Sequence, residues 1–372
     1  MNFSAPLHDE ISVKWYRCPV DRTVMRKLME RSDRKGIFQA GGHLVLFFGT
    51  MAVTYAVFLQ ITVANWFWTV PLLFVCTFCH GTVASFMGGT ACHELCHKTM
   101  FRNQKLNEVF LWIFAFLSWF NPVTYRLSHV RHHQVTAHHG LDGEIILPQK
   151  LDWSELEPDE LALPQRLDGA FLRLLAVNFC PIPIPGAILS RLRLYVRYAK
   201  DDLEGLGLFA GGIWWMQSVM PADKPEARRR NSSWARTVVI GHLLLATVLI
   251  ATGHWFLALL FAGHGTYASW LGNLTGLPQH LGMEPDVPDF RRCCRTYTCS
   301  PLVGFLYWNM QYHVEHHMFP AVPCYNLPAL RAAILDDVPP APHGLLATWK
   351  EIILRLRELD RKRFAPAFIV KT

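Results

Sequence analysis

The chain has 372 residues, enough for one large domain or two ordinary ones. Hydrophobic residues make up 51% of it, yet its mean hydropathy is only +0.16 and its formal net charge +7. That balance describes apolar membrane segments joined to polar ones. It excludes a nucleic-acid-binding chain, because the basic residues are scattered rather than clustered, as suits the cytoplasmic face of a membrane.

Residues 1–35 are rich in charge and lack the apolar stretch of a signal peptide, so they read as a cytoplasmic N-terminal segment. From Gly36 to His93 there is no Asp, Glu, Lys or Arg. A helix needs about 20 apolar residues to cross the hydrocarbon core, so this stretch predicts two crossings, 38–62 and 66–90. The break between them is "TVANW". The run "VFLWIFAFLSWFNPV" is short for a crossing, and "AVNFCPIPIPGAIL" has alternating prolines that deny a regular helix. Both read as interfacial or buried in a polar cap. A second charge-free stretch, Thr237 to Met283, predicts crossings at 237–253 and 255–275 around the break "ATGHW". The tail, 346–372, carries "ATWKEIILRLRELDRKRF", whose apolar residues recur at helical spacing and predict an amphipathic helix.

Neither hairpin break carries charge, so the positive-inside rule puts the N-terminal, central and C-terminal segments in the cytoplasm. The expected fold is all-α and integral to the membrane, with four transmembrane helices in two hairpins and a cytoplasmic helical cap. Residues 36–345 form the membrane domain. The ten cysteines are unevenly spaced and read as reduced thiols. Adjacent Cys293 and Cys294 lack the C-x-x-C spacing of a redox pair.

The chemistry lies in the histidines. Of 18, eight fall into three dense groups: His93 and His97 in "HELCH", His129, His132 and His133 in "HVRHH", and His313, His316 and His317 in "HVEHH". On a helix, positions i, i+3 and i+4 share a face, so each group turns its rings one way, as chelation requires. All three groups, and His280 in "PQHLG", fall on one side of the expected bilayer. Nine imidazoles are too many for one metal, whereas two metals with four or five each use them all. Imidazole alone does not name the metal. A redox pair beside a membrane suggests oxygen chemistry on a lipid. Glu94, Asp142, Glu144 and Glu315 are the nearest carboxylates, suited to accept the outer N–H of a ligating ring. Glu94 and Glu315 read equally well as salt-bridged residues. Asn309 suits the orientation of a ligand or a water. His138 and His139 read as polar cap residues. His8, His43, His80, His242, His254, His264 and His343 read as structural or exposed.

The pattern H-x-x-x-H, H-x-x-H-H, H-x-x-H-H with four spans resembles the integral-membrane fatty acid desaturase and hydroxylase superfamily. The segment "NMQYHVEHHMFPAVPCYNLP" is similar to its third histidine box, and "HVRHHQVTAHHGLDGE" to its second. The resemblance covers about residues 36–345. It implies two non-haem irons held by His93, His97, His129, His132, His133, His313, His316 and His317, with O₂ as co-substrate. His280 matches the extra histidine after the last span. The first box departs from the common pattern, with Glu94 where Asp is usual. The H-P-G-G haem segment of a fused cytochrome b5 domain is absent from the sequence, so the resemblance implies a separate electron donor of ferredoxin or cytochrome b5 type. The implied activity on a lipid or acyl chain is desaturation, with hydroxylation as the alternative outcome.

Three rival readings use the same residues. H-E-x-x-H with the Asp142 of "GLDGE" would make an intramembrane zinc protease, but it leaves both H-x-x-H-H groups idle. A metal transporter needs its ligands at membrane depth rather than beyond the spans. A haem carrier pairing His43, His80, His242 or His264 leaves the dense groups unexplained.

Overall fold

The computed structural model describes residues 13–145, 184–203, 212–223, 225–263 and 269–364. Among these the structure is helical, and the one β contact is an isolated antiparallel bridge between Thr296 and Tyr312.

The first hairpin pairs Asp33–Leu59 with a helix that starts at Trp66. Ser32 Oγ accepts from Lys35 N (3.3 Å) and caps the first helix. Its 27 residues span about 40 Å, more than the hydrocarbon core requires. Asn65 closes the turn: its side chain accepts from Thr62 N and donates to Gln60 O, both at 2.8 Å. The second helix, Trp66–Ala84, does not run on regularly to residue 90. It passes into a π-turn, Met87–Cys92, where Ala91 N donates to Phe86 O (2.9 Å), and then into His93–Cys96. The extra residue per turn re-aims the helix just before the first histidine.

Gln104–Leu117 and Pro122–Val135 follow, bent by 108° from each other. Trp119, at φ 54°, stops the first helix. Asn121 then caps the second through Val123 N (3.2 Å), with Pro122 in its first turn.

The helix expected at 237–253 begins earlier, at Pro225, and runs to Ala251. Of the crossing expected at 255–275, Trp255–Gly263 and Trp270–Gly276 are helical, and residues 264–268 lie outside the described residues. Three helices, Asp33–Leu59, Trp66–Cys96 and Pro225–Ala251, are long and apolar enough to cross, or four if the bent pair is one broken span. Phe38, Val45, Phe67, Phe74 and Leu244 are exposed on these helices, as a lipid-facing surface requires. Trp66, Trp68 and Trp255 stand exposed at the hairpin turns, where the indole suits the interface.

Ile184–Ala199 begins inside the proline-rich run; residues 176–183 of that run lie outside the described residues. The tail forms Gly344–Phe364, as its spacing predicts. Trp349, Ile352 and Leu356 are its buried stripe, packed on Leu274, Leu277 and Leu281. The nine cysteines among the described residues are free thiols. Less expected is the N-terminal segment, which is strapped across residues 288–318. Trp15 stacks on Phe290 (4.0 Å), Tyr16 N donates to Pro288 O (2.9 Å), and Arg17 Nη1 donates to Met318 O (2.8 Å).

Candidate metal centre

Three helical turns bring the dense histidine groups together. His93 and His97 sit one turn apart beyond the π-turn; His129, His132 and His133 end the Pro122–Val135 helix; His313–Met318 carries the third group. Ligand atoms of His93, His97, His129, His133 and His316 all lie within 4.8 Å of one another. Those of His132, His280 and His317 form a second such set. His313 joins it, its Nε2 lying 2.9 Å from His280 Nε2 and 3.0 Å from His317 Nε2. The sets touch: the rings of His133 and His317 stack at 4.2 Å.

Each H-x-x-H-H segment is thus divided. In the second box the i, i+4 pair, His129 and His133, serves the five-ring set, and His132 serves the four-ring set. In the third box the i, i+4 pair, His313 and His317, serves the four-ring set, and His316 crosses over. Helical geometry explains the split, since i and i+4 lie nearly above one another while i+3 lies to one side.

Outer partners fix several rings. His129 Nδ1 lies 2.6 Å from Glu144, and His132 Nδ1 lies 2.9 Å from Asp142. His280 Nδ1 donates to the Cys293 carbonyl (3.0 Å), and His317 Nδ1 meets Thr136 Oγ1 (3.2 Å). Glu144 is in turn held by Ser128, whose hydroxyl accepts from Trp215 Nε1 (2.8 Å). Asp142 also accepts from Ala137 N (2.9 Å) and Glu144 N (3.0 Å).

Burial sets the charge states. His280 is pushed down to about 3, and His313, His316 and His317 well below the ordinary imidazole range, all chiefly by desolvation. Neutral imidazole is the ligating form. Burial would raise Asp142, but its pairing with His132 and two backbone N–H groups holds it below its ordinary value. Burial lifts Glu144 to about 7, against the pull of His132 and the Ser128 hydroxyl.

The donor set fits metal. Nε2 of His93, His97 and His316 is buried and makes no hydrogen bond. Nitrogens about 2 Å from a common ion lie up to about 4 Å apart, and the ligand atoms of the five, and those of His132, His280 and His317, each gather within 4.8 Å. Residues 65–349 match the model of the fatty acid desaturase family.

The chain belongs to that family.

Similar curated proteins include the Delta(6)-fatty-acid desaturase fat-3 of Caenorhabditis elegans, 22% identical over 65% of this chain and 53% of that protein. The chain therefore spans about half the length of this relative. The Sphingolipid delta(4)-desaturase of Komagataella phaffii is 24% identical over 80% of this chain and 72% of its own length. The Sphingolipid delta(4)-desaturase DES1 of Xenopus tropicalis is 24% identical over 88% and 84%.

In this desaturase-family chain the expected residues do not all sit alike. Asp142 pairs with His132, and neither His93 nor His97 shares a set with it, which removes the protease arrangement. Glu94 is fully buried without a hydrogen bond, its Oε1 3.0 Å from His93 Nδ1 but outside bonding geometry, and 3.6 Å from His316 Nδ1. Glu315 turns away from the rings: one oxygen accepts from Arg331 (2.7 Å) and the other from Thr296 (2.5 Å). Asn309 is outside both sets and lines a neighbouring cleft. His138 bonds the Thr136 carbonyl and His139 pairs with Asp286, and neither joins either histidine set. His264 lies outside the described residues. Sequence reasoning missed Ser128, Thr136, Trp215, Thr296, Arg331 and the Cys293 carbonyl. None carries a local signal, because each acts through a partner distant in the chain or through its backbone.

Proposed function

We propose that the protein is a membrane-bound, O₂-dependent di-iron desaturase acting on an unactivated C–H bond of a lipid or acyl chain. One observation carries this reading: nine imidazoles, seven buried and two (His97 and His133) half-buried, divided into abutting sets of five and four. Five imidazoles exceed the four ligands of a zinc site and suit iron, and imidazole is an established ligand for it. His93, His97, His129, His133 and His316 would hold one iron, and His132, His280, His313 and His317 the other.

Bound iron supplies the reduction of O₂ and the removal of hydrogen from the substrate. The chain's part is orientation and exclusion of water. Glu144 and Asp142 hold His129 and His132 with the proton on Nδ1, keeping each Nε2 as a donor to metal. Phe290, on which Trp15 stacks, lies against the His317 ring (5.4 Å) and helps keep water from it. The two electrons come from a separate carrier of ferredoxin or cytochrome b5 type. The sphingolipid and fatty acid relatives support a long-chain lipid as substrate. Four crossings, with both termini and the metal centre cytoplasmic, follow from the distribution of Lys and Arg. The catalytic unit is 36–345, followed by the 346–372 tail.

The test is expression with a ferredoxin system, with cell lipids compared by mass spectrometry against a His316→Ala control. A product lighter by two hydrogens is expected. A product heavier by one oxygen would make the enzyme a hydroxylase, and an unchanged lipid profile would refute the lipid substrate.

A further inference from the structure

The segment Trp15 to Cys18 touches the chain just past two of the histidine boxes. Trp15 Nε1 donates to the carbonyl of Gln134 (2.9 Å), the residue after His133. Arg17 Nη1 donates to the carbonyl of Met318 (2.8 Å), the residue after His317, and Cys18 N donates to the Met318 sulfur (3.1 Å). The Trp15 ring stacks on Phe290 (4.0 Å, 12° between planes), which opens the short helix Phe290–Cys293. We propose that this segment is a clamp that positions the four-ring set, with Trp15 as its positioning residue. The proposal rests on the reading that each histidine set holds one metal ion, and names the part of the chain that keeps one of the two sets in shape.

Three observations carry it. First, the contacts fall on the supports of that set. Phe290 lies against the His317 ring (5.4 Å), and the Cys293 carbonyl at the other end of its helix accepts from His280 Nδ1 (3.0 Å). Met318 follows His317 directly, and Gln134 lies just past His132. Among the described residues, 15–18 make no hydrogen bond or ring contact with His93 or His97. Second, little else ties these two boxes together. Between residues 122–138 and 313–319, the one hydrogen bond among the described residues joins Thr136 Oγ1 and His317 Nδ1 (3.2 Å). A binding constellation tolerates only about 0.5 Å of drift, so the register of the two boxes needs a tie from outside. Third, the clamp is itself anchored away from the rings. Tyr16 N donates to Pro288 O (2.9 Å) and its hydroxyl to Asp337 (2.5 Å). The Arg291 guanidinium covers the Tyr16 ring (3.9 Å) and bonds the same carboxylate (2.7 Å).

Tryptophan suits the place because one side chain supplies both a broad apolar face for Phe290 and an N–H for the Gln134 carbonyl. Through the first it seats the turn that orients His280, and through the second it fixes the end of the helix that carries His132. Arg17 does the same for the end of the third box. The four rings come from three separate stretches of chain, and the clamp touches all three.

The experiment uses the detergent-solubilised full chain, reconstituted with iron(II), and reads metal and backbone motion rather than turnover. Trp15→Ala should weaken one iron about tenfold against a chelator. The Mössbauer signal it loses should be the one that His317→Ala perturbs, while the signal that His316→Ala perturbs stays. Trp15→Phe keeps a ring on Phe290 and gives up only the Gln134 bond, so it should restore much of the affinity. Arg17→Met, which frees the Met318 carbonyl, should weaken the same iron. In metal-free protein, Trp15→Ala should speed hydrogen exchange at residues 290–294 and 313–319 and leave 93–97 unchanged. Retention of both irons in Trp15→Ala, or equal loss of both with faster exchange at 93–97 as well, overturns the clamp. If the wild-type chain binds fewer than two irons, the two-metal reading fails instead, and the exchange pattern alone decides for or against the clamp.

Discussion

The Glu144 carboxylate lies 2.6 Å from Nδ1 of His129, while Nε2 of the same ring points to His133 Nε2 at 2.9 Å. One side of the imidazole is thus committed to a buried acid and the other faces the five-ring set. Removing such a partner typically costs about 10- to 100-fold in metal affinity. Glu144→Gln should therefore lose iron to a chelator within that range, and Ser128→Ala, one step further out, should lose less. Wild-type retention in Glu144→Gln would detach Glu144 from the centre.

Adjacent residues in the third box should report on different irons. His316 belongs to the five-ring set and His317 to the four-ring set. In Mössbauer spectra of iron-reconstituted protein, His316→Ala should perturb one signal and His317→Ala the other. If both perturb the same signal, the division of the boxes is wrong.

Glu315 and Arg331 form a buried pair whose acid is fully inaccessible, with Thr296 on its other oxygen. Breaking a buried pair from one side leaves an uncompensated charge, at a cost of about 3–5 kcal/mol. Arg331→Met should destabilise the protein by that order in thermal unfolding. Adding Glu315→Gln should recover much of the loss, because the neutral amide still reaches Thr296. An unchanged melting temperature in Arg331→Met would show that the pair contributes nothing.

The histidine boxes were legible because chelation and helical periodicity leave the same mark: rings at i, i+3 and i+4 can serve only a shared face. The first hairpin was legible because fifty-odd residues without charge have few other uses. What the spacing could not show is which ring serves which set. His132 and His133 are neighbours in sequence, and only the docking of His280 and the third box separates them. The π-turn at Met87–Cys92 was also hidden, since Gly88, Gly89 and Ala91 fit an ordinary helix as well. The crossing expected at 255–275 is helical at Trp255–Gly263 and Trp270–Gly276, with residues 264–268 outside the described residues. The strap formed by Trp15 and Arg17 left no trace, because its contacts are to residues more than a hundred positions away.

His43 separates a structural histidine from a ligand. It is fully buried, accepts from Trp308 Nε1 at Nδ1 (2.9 Å), and donates from Nε2 to the Val83 carbonyl (3.0 Å). Both nitrogens are therefore occupied by protein. Trp308 sits at φ 50°, unfavourable for a bulky residue, so the bond to His43 also holds a strained turn beside Asn309. His43→Phe would orphan an indole N–H and a carbonyl, each at about 1–3 kcal/mol. The expected result is a lower melting temperature with iron content unchanged in the fraction that remains folded. Iron content and unfolding are to be measured on the same preparation. If iron is lost while the melting temperature holds, His43 belongs to the centre and the count of nine imidazoles is wrong.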